Sequence, residues 1–507
     1  MDLDELSIAE LQAQLTSGQL IARQLVERHL ARIEAVDRSG PTLRSVLETN
    51  PDALGIADEL DRERSERGPR GPLHGIPILL KDNIETADRM QTTAGSLALV
   101  DVPVERDATV AQRLRSAGAV ILGKTNLSEW ANWRSTRSCS GWSGRGRQTR
   151  NPFVLDRSPI GSSSGSAAAV SANLALAALG TETDGSIVSP SSACGVVGIK
   201  PTVGLTSRAG VVPISHTQDT VGPHARSVAD AAAVLSALVG EDTRDPATRG
   251  GVQAASDYTQ FLEPDGLRGA HIGVVRRFLT GYNLHADRIL ESALDVLRGQ
   301  GAVVSDVAEI PGHSALRENV EGEDVTSEGV VLEYEFKAEI GRYLEERIGC
   351  PFKSLADLIR FNLDHAAEEM PYFGQERFTA SEARGPLSDD LYQRCLAKNR
   401  AFAADFAQFL KTEGFDALVA PSTAPAWAID LLDGDRPLGG SAQAAAVGGF
   451  PLVTVPAGFA LDLLPVGLTF MGPAWSEPTL IRLAYAFEQA SRARRAPSFV
   501  PSTLHLP

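Results

Sequence analysis

Cysteine is scarce and scattered: Cys139, Cys194, Cys350 and Cys395 are the four in 507 residues, with no CxxC pair among them. That spacing excludes a dense disulfide framework and the usual zinc-ligand arrangements, and leaves the four as small buried residues. The nine histidines contain no HExxH and no other paired ligand spacing, so neither a metal nor an organic cofactor is expected. No charge-free apolar stretch reaches the roughly 20 residues that span a bilayer. The most apolar one, 166–180, is too short, and no membrane partner is expected. The opening residues, MDLDELSIAELQAQL, lack the basic start and apolar core of a signal peptide. As given, the chain reads as cytoplasmic, or as secreted or periplasmic if a leader has been removed.

Excess positive charge is missing too. Lys and Arg number 48 against 64 Asp and Glu, a net charge of -16. Phosphate binding needs clustered cations that release counterions, so a nucleic-acid partner is excluded. One local basic cluster, Arg145 to Arg150, has few charges and no interleaved aromatics. A structural role there is the plainer reading and an anion site the lesser one.

What is present reads as a folded α/β protein. Ser7 can cap a short helix through Leu15, and Ile21 to Val36 places Leu25, Val26, Leu30, Ile33 and Val36 on one helical stripe. From about residue 70, short apolar runs alternate with helical patterns: Gly75 to Leu80, Thr109 to Ala117, then Ala119 to Leu122. Further strands are expected at Ile272 to Val275, Ala302 to Val304, Ala417 to Ala420, Leu452 to Val455 and Val466 to Phe470. Helices are expected at Ala286 to Arg298 and Thr479 to Arg492. Length alone suggests about three domains. No repeat or long linker divides the chain, however, so one unit over 1–507 is the better reading. The charged stretch 314–400 reads as several helices, including Val331 to Arg347 and Leu355 to Glu369, that cover the sheet or the mouth of a site.

The segment from Ser158 to Thr202 carries most of the chemistry. A Gly-Ser loop, Gly161 to Ser166, leads into an apolar run, Ala167 to Leu179, that reads as a helix buried on all sides and ended by Gly180. Next comes the turn TETDGS, with Ser186 at its end and Gly185 free to bring several N–H groups together, as an oxyanion hole requires. Earlier, Lys81 follows the apolar run Ile78 to Leu80, which places its stem in the interior. Desolvation there favours the neutral amine, and moving its pKa from about 10.4 to near 7 takes about 5 kcal/mol. The alternative is a strand-end lysine paired with Asp82.

Together, these segments resemble the amidase signature family. Its G-x-P-x-x-x-K-D motif matches Gly75 to Asp82, its Gly-Ser loop matches Ser162, and its G-T-x-x-x-G-S turn ends here at Ser186. The resemblance runs from about residue 20 to the C-terminus, with a core over about 70–230. It implies a single α/β domain with a mixed central sheet covered by helices on both faces. It further implies a Ser-Ser-Lys triad of Ser186, Ser162 and Lys81, with Ser162 in a cis peptide. Backbone N–H groups of Thr183, Asp184, Gly185 and Ser186 would form the oxyanion hole, and Ala131, Asn132 and Ser163 would bind substrate. A monomer acting on a small-molecule or peptide amide is expected.

Outer segments such as LGKTNLSEWANW, SGWSGRGRQTRNP, LEYEFKAEIGRYL and FGQE resemble the bacterial peptide amidase branch, whose members hydrolyse the C-terminal carboxamide of peptides. Ile160, Ser164 and Asp184 stand where glycines are usual in the wider family. The nearest alternative is a broader amidase signature hydrolase acting on aryl or aliphatic amides, esters or carbamates, and three further rival readings follow. Gly161 to Gly165 also satisfies G-x-S-x-G, with Ser163 as an α/β-hydrolase nucleophile and His216 or His365 as its histidine. Pro152 and Pro159 interrupt the strand that this motif needs. A non-catalytic amide-binding subunit would not need the intact set of three residues, and the glutaminase subunit of a tRNA amidotransferase would not need the outer segments.

Overall fold

Period-two alternation explains the centre of the molecule. Along the strand Pro77–Lys81, Ile78 and Leu80 pack into one apolar cluster, while Leu79 packs into a second on the opposite face. Ala177 and Ala178 divide the same way, as do Ile121 and Leu122. Strands that bury both faces read as continuous apolar runs and need helices on either side.

The computed structural model describes residues 5–250 and 255–505. Its strands, in chain order, are β1 (Val46–Thr49), β2 (Pro77–Lys81), β3 (Val120–Thr125), β4 (Ala177–Glu182), β5 (Val197–Lys200), β6 (Thr220–Ala225), β7 (His271–Val275), β8 (Val303–Val307), β9 (Ala417–Pro421), β10 (Leu452–Ala460) and β11 (Leu464–Met471). All eleven form one sheet in the order β1-β3-β2-β4-β6-β5-β10-β11-β9-β7-β8. β2 runs parallel to β3 and β4, and β7 parallel to β8 and β9; the other neighbours are antiparallel.

One face is covered by helices that include Thr109–Ser116, Val228–Leu238, Leu284–Gly299 and Glu477–Ser491, whose Leu114, Leu235, Leu294 and Leu483 join the Ile78 cluster. The other carries Ala22–Arg32, Ala53–Arg67 and Ser164–Ser171, whose Val26, Ala57 and Ala168 join the Leu79 cluster. The expected α/β domain with a mixed sheet covered on both faces is therefore present. Among the described residues no helix is long and apolar enough to cross a membrane.

The expected helix Ala167 to Leu179 is corrected. The helix spans only Ser164–Ser171, Asn173 takes a left-handed φ of 59°, and the chain then forms β4 with Gly180 inside it. An all-round apolar run fits a buried helix and a central strand equally well, and periodicity cannot separate them. Leu355 to Glu369 is likewise two helices, Leu355–Asp364 and Ala366–Glu369. β1, β5 and β6 were not anticipated. β1 is only four residues long, and β6 contains Gly222 and Pro223.

Close packing fixes some glycines. A Cβ at Gly165 would lie 2.4 Å from Ser45 O and 2.5 Å from Asn126 O, both backbone atoms that cannot step aside. At Gly55, within Ala53–Arg67, nothing lies within 4 Å. Gly165→Ala should therefore destabilise by about 3 kcal/mol through overpacking, whereas Gly55→Ala should stabilise by about 0.5–1 kcal/mol through helix propensity. Denaturant unfolding of the two variants beside the parent gives both signs.

Candidate active site

Lys81 ends β2 on the Leu79 side of the strand, the side that the helix Ser164–Ser171 covers. On neighbouring β4, a Cβ at Gly180 would lie 2.7 Å from Ser163 Oγ and 2.4 Å from His224 Nε2. A glycine there lets the serine loop close on the strand. The Lys81 amine is fully buried and donates to Ser162 Oγ at 2.7 Å, Thr181 Oγ1 at 2.8 Å and Thr181 O at 3.3 Å. Asn83 Nδ2 donates to the same Thr181 hydroxyl at 3.0 Å. Burial lowers the Lys81 pKa to about 7, against the opposing pull of the Asp219 and Glu182 charges.

The alternative pairing of Lys81 with Asp82 is not what the structure holds. Asp82 pairs instead with Arg145 Nη1 at 3.2 Å and accepts the Thr93 hydroxyl. Arg145 also reaches Glu48 at 2.6 Å, Arg147 donates to Glu368 O and Arg150 to Pro41 O. The basic cluster thus fastens loops.

Ser162 follows Gly161 through a cis peptide bond, and its carbonyl accepts Ser128 N–H at 3.1 Å. Ser163 is fully buried and caps nothing catalytic: its hydroxyl donates to Thr181 O at 3.0 Å and accepts Thr181 N–H at 3.2 Å. It lies directly behind Ser162, beside the segment that carries Ser186. With its hydroxyl held by Thr181, the Ser163 nucleophile reading fails. His216 lies between Glu335 and Glu339, at 3.4 and 3.1 Å, and His365 stacks on Phe361.

Ser163 N–H also donates to Ser186 O at 3.1 Å, which holds the two serine segments side by side. The turn that carries Ser186 has Gly185 at a φ of 80°. Beneath it, the buried Glu182 carboxylate accepts Ile187 N–H at 2.6 Å and Val188 N–H at 3.0 Å. Thr183 Oγ1 donates to Asp219 at 2.6 Å, and the other oxygen of Asp219 accepts Ile214 and Ser215 N–H at 2.8 and 2.9 Å. No backbone carbonyl takes the N–H of Asp184 or Ser186 among the described residues.

Ser186, Thr183 and Asp184 line a cavity of about 400 Å³. Ala131 and Asn132 face it, within a left-handed turn where Trp130, Ala131 and Asn132 have φ of 50°, 52° and 72°. Thr326, Glu328, Leu332 and Arg377 close it from the charged helical region. Among the described residues no three His, Cys, Asp or Glu side chains converge to hold a metal ion. Thr181 and Asp219 were not singled out from sequence. Thr181 is the threonine of the G-T-x-x-x-G-S match, so a signal for it existed. Glu328 and Arg377 have none, being helical positions in a charged stretch.

This sheet and this serine-lysine arrangement define an amide-hydrolase class, and the chain belongs to the amidase family, which it matches over residues 24–481. It is 42% identical to a probable amidase of Arabidopsis thaliana, with 98% of this chain and 92% of that one covered. Among solved structures it is similar to native peptide amidase from Stenotrophomonas maltophilia, with 52% identity, a TM-score of 0.92 and coverage of 98% and 99%. It is similar also to a peptide amidase in complex with the competitive inhibitor chymostatin, with 53% identity, a TM-score of 0.93 and coverage of 98% and 99%. It is an amidase signature hydrolase, structurally close to peptide amidase.

The role of the basic cluster can be measured. Arg145→Met strands a fully buried Asp82 and should destabilise by about 3 kcal/mol, since a buried charge loses its partner. Arg147→Met removes an exposed side chain and should stay within about 0.5 kcal/mol. Equal effects in denaturant unfolding would refute this division of labour.

Proposed function

We propose that the protein hydrolyses the C-terminal carboxamide of peptides to free acid and ammonia, with Lys81, Ser162 and Ser186 as the reacting set. The observation that carries the chemistry is the Lys81 amine, buried, held near neutrality and 2.7 Å from Ser162 Oγ. Similarity to peptide amidases over 98% of the chain supports the substrate class.

In this mechanism Ser186 Oγ attacks the carboxamide carbon and its proton passes to Ser162, while Ser162 gives its own to neutral Lys81. The N–H groups of Thr183, Asp184, Gly185 and Ser186 receive the oxyanion, each donor contributing about 3 kcal/mol. On collapse the C–N bond breaks, and Lys81 returns the proton through Ser162 to nitrogen, so that ammonia leaves. Water then attacks the acyl-enzyme with the same proton route, giving the acid and free Ser186. Two moderate barriers replace one high one. Ala131 and Asn132 would flank the bound peptide.

Variants, product mass and pH dependence test this reading. Ser186→Ala and Lys81→Ala should each remove nearly all turnover in a folded protein, with non-additive effects in the double variant. An amidated oligopeptide should gain about one mass unit without chain cleavage, because NH2 is exchanged for OH; fragments from internal cleavage would reject the assignment. The pH profile supplies a third test. Only neutral Lys81 accepts a proton, so kcat/KM should rise with pH along a limb centred near its pKa of about 7. Asp219→Asn removes a charge that favours the ammonium and should move that limb to lower pH. A limb displaced upward, or none, would contradict the role of Lys81.

A further inference from the structure

The cavity in front of Ser186 has a charge pattern that the hydrolytic chemistry does not use. Asp184, Asp324 and Glu328 line it, against a single cation, Arg377, which lies over the Trp133 ring at 4.6 Å. Glu328 is only 5% exposed, and both its oxygens are held: Oε1 accepts Gln218 Nε2 at 3.0 Å and Oε2 accepts Gln443 Nε2 at 2.9 Å. Gln218 Nε2 also donates to Thr183 O at 3.2 Å, which ties this carboxylate to the turn that bears Ser186. Asp184 is two residues before Ser186 on that turn and opens into the cavity.

We propose that Glu328, with Asp184 beside it, makes the cavity select by charge the residue that bears the scissile carboxamide, accepting neutral and basic residues and rejecting acidic ones. The inference rests on the peptide-amide reading above. A substrate carbonyl on Ser186 brings its own side chain into a space of about 400 Å³, within reach of both carboxyl groups. Like charges across the cavity repel, and more strongly than in bulk water where one of them is buried, as Glu328 is. Glu328 accepts an amide N–H at each oxygen, which favours its carboxylate over the carboxylic acid. The same repulsion acts on the product, because hydrolysis turns a neutral carboxamide into a carboxylate beside the pair. Discrimination here comes from an unfavourable contact with the wrong partner.

The test is ammonia release from three acetyl-alanyl amides ending in arginine, leucine and glutamate. In the parent enzyme, kcat/KM for the glutamate amide should lie at least about tenfold below that for the leucine amide, with the arginine amide at or above leucine. Glu328→Gln removes the charge and keeps one of the two acceptors; it should bring glutamate within about threefold of leucine, read as a ratio within the variant so that any loss of turnover common to both amides cancels. Asp184→Asn should move the glutamate-to-leucine ratio the same way, and about 1 M salt should narrow it in the parent. The leucine acid should also inhibit Glu328→Gln more strongly than the parent. A ratio near one in the parent, or one unchanged in both variants, overturns the proposal and leaves the peptide-amide reading in place. Absence of ammonia from the leucine amide in the parent would overturn that reading itself.

Discussion

An amine with no carboxylate to answer it is the constraint around which the rest of this protein is arranged. Lys81 is fully buried, and its bonds go to two hydroxyls and a carbonyl. Such a site favours the uncharged form, because neutral oxygen acceptors do not replace the solvation that an ammonium loses. Two other lysines are as deeply buried. Lys124 donates to Ile84 O at 2.6 Å and Thr92 Oγ1 at 2.8 Å, Lys200 to Phe450 O at 2.7 Å, and burial lowers each to about 8. Burial alone therefore does not mark a base. What distinguishes Lys81 is that a partner is a serine hydroxyl beside the segment that carries Ser186.

The sheet brings these parts together in a way that depends on parallel pairing. β2 and β4 run side by side in the same direction, so both strands end at one edge, with Lys81 on the first and the turn to Ser186 after the second. Sites in α/β sheets commonly form at the carboxyl ends of parallel strands, where loops converge. Helix Ser164–Ser171 precedes β4, and its N-terminal loop supplies Ser162 to the same edge. The antiparallel strand β6 adds a third element, for Asp219 just before it anchors Thr183 and spans to Ile214 and Ser215. The turn is thus tied by Glu182 beneath, Asp219 at one side and Ser163 at the other.

Much of this was legible in the sequence for a specific reason. Apolar runs ending in a charged residue, as in Ile78 to Lys81, announce both a buried strand and a buried charge, and the alternation of strand and helix implies layering. Ser7 is legible in the same local sense: its hydroxyl accepts Glu10 N–H at 3.2 Å, and the Glu10 carboxylate accepts Ser7 N–H at 2.8 Å. The helix mistaken for 167–179 shows the limit. Alanine and leucine suit either state, and only tertiary packing against β2 and β6 decides that Ala177–Glu182 is a strand. The partner of Asp82 was equally invisible, since Arg145 lies 63 residues away. Glu328 and Arg377 reach the cavity from a region whose local pattern speaks only of helices with charged faces. Sequence separation, not subtlety, hid them.

Ile160 shows how firmly the serine loop is determined by its surroundings. It takes a φ of 58°, a region where a branched side chain is strained by about 1–2 kcal/mol. Its N–H donates to Ser158 Oγ at 3.0 Å and its carbonyl accepts Ser164 Oγ at 2.6 Å, so both ends of the residue are held by serines of its own loop. The side chain is 5% exposed, in a cluster with Phe153, Val154 and Ala193. Burying an isoleucine contributes about 2 kcal/mol, enough to offset the strain. The chain holds this turn by packing, with less freedom in the unfolded state than a glycine would have and a fixed apolar anchor in the folded one. Two residues later comes Ser162, whose position between Lys81 and the Ser186 segment is what the proposed chemistry requires, and the anchor at Ile160 restricts the loop on the side away from Lys81.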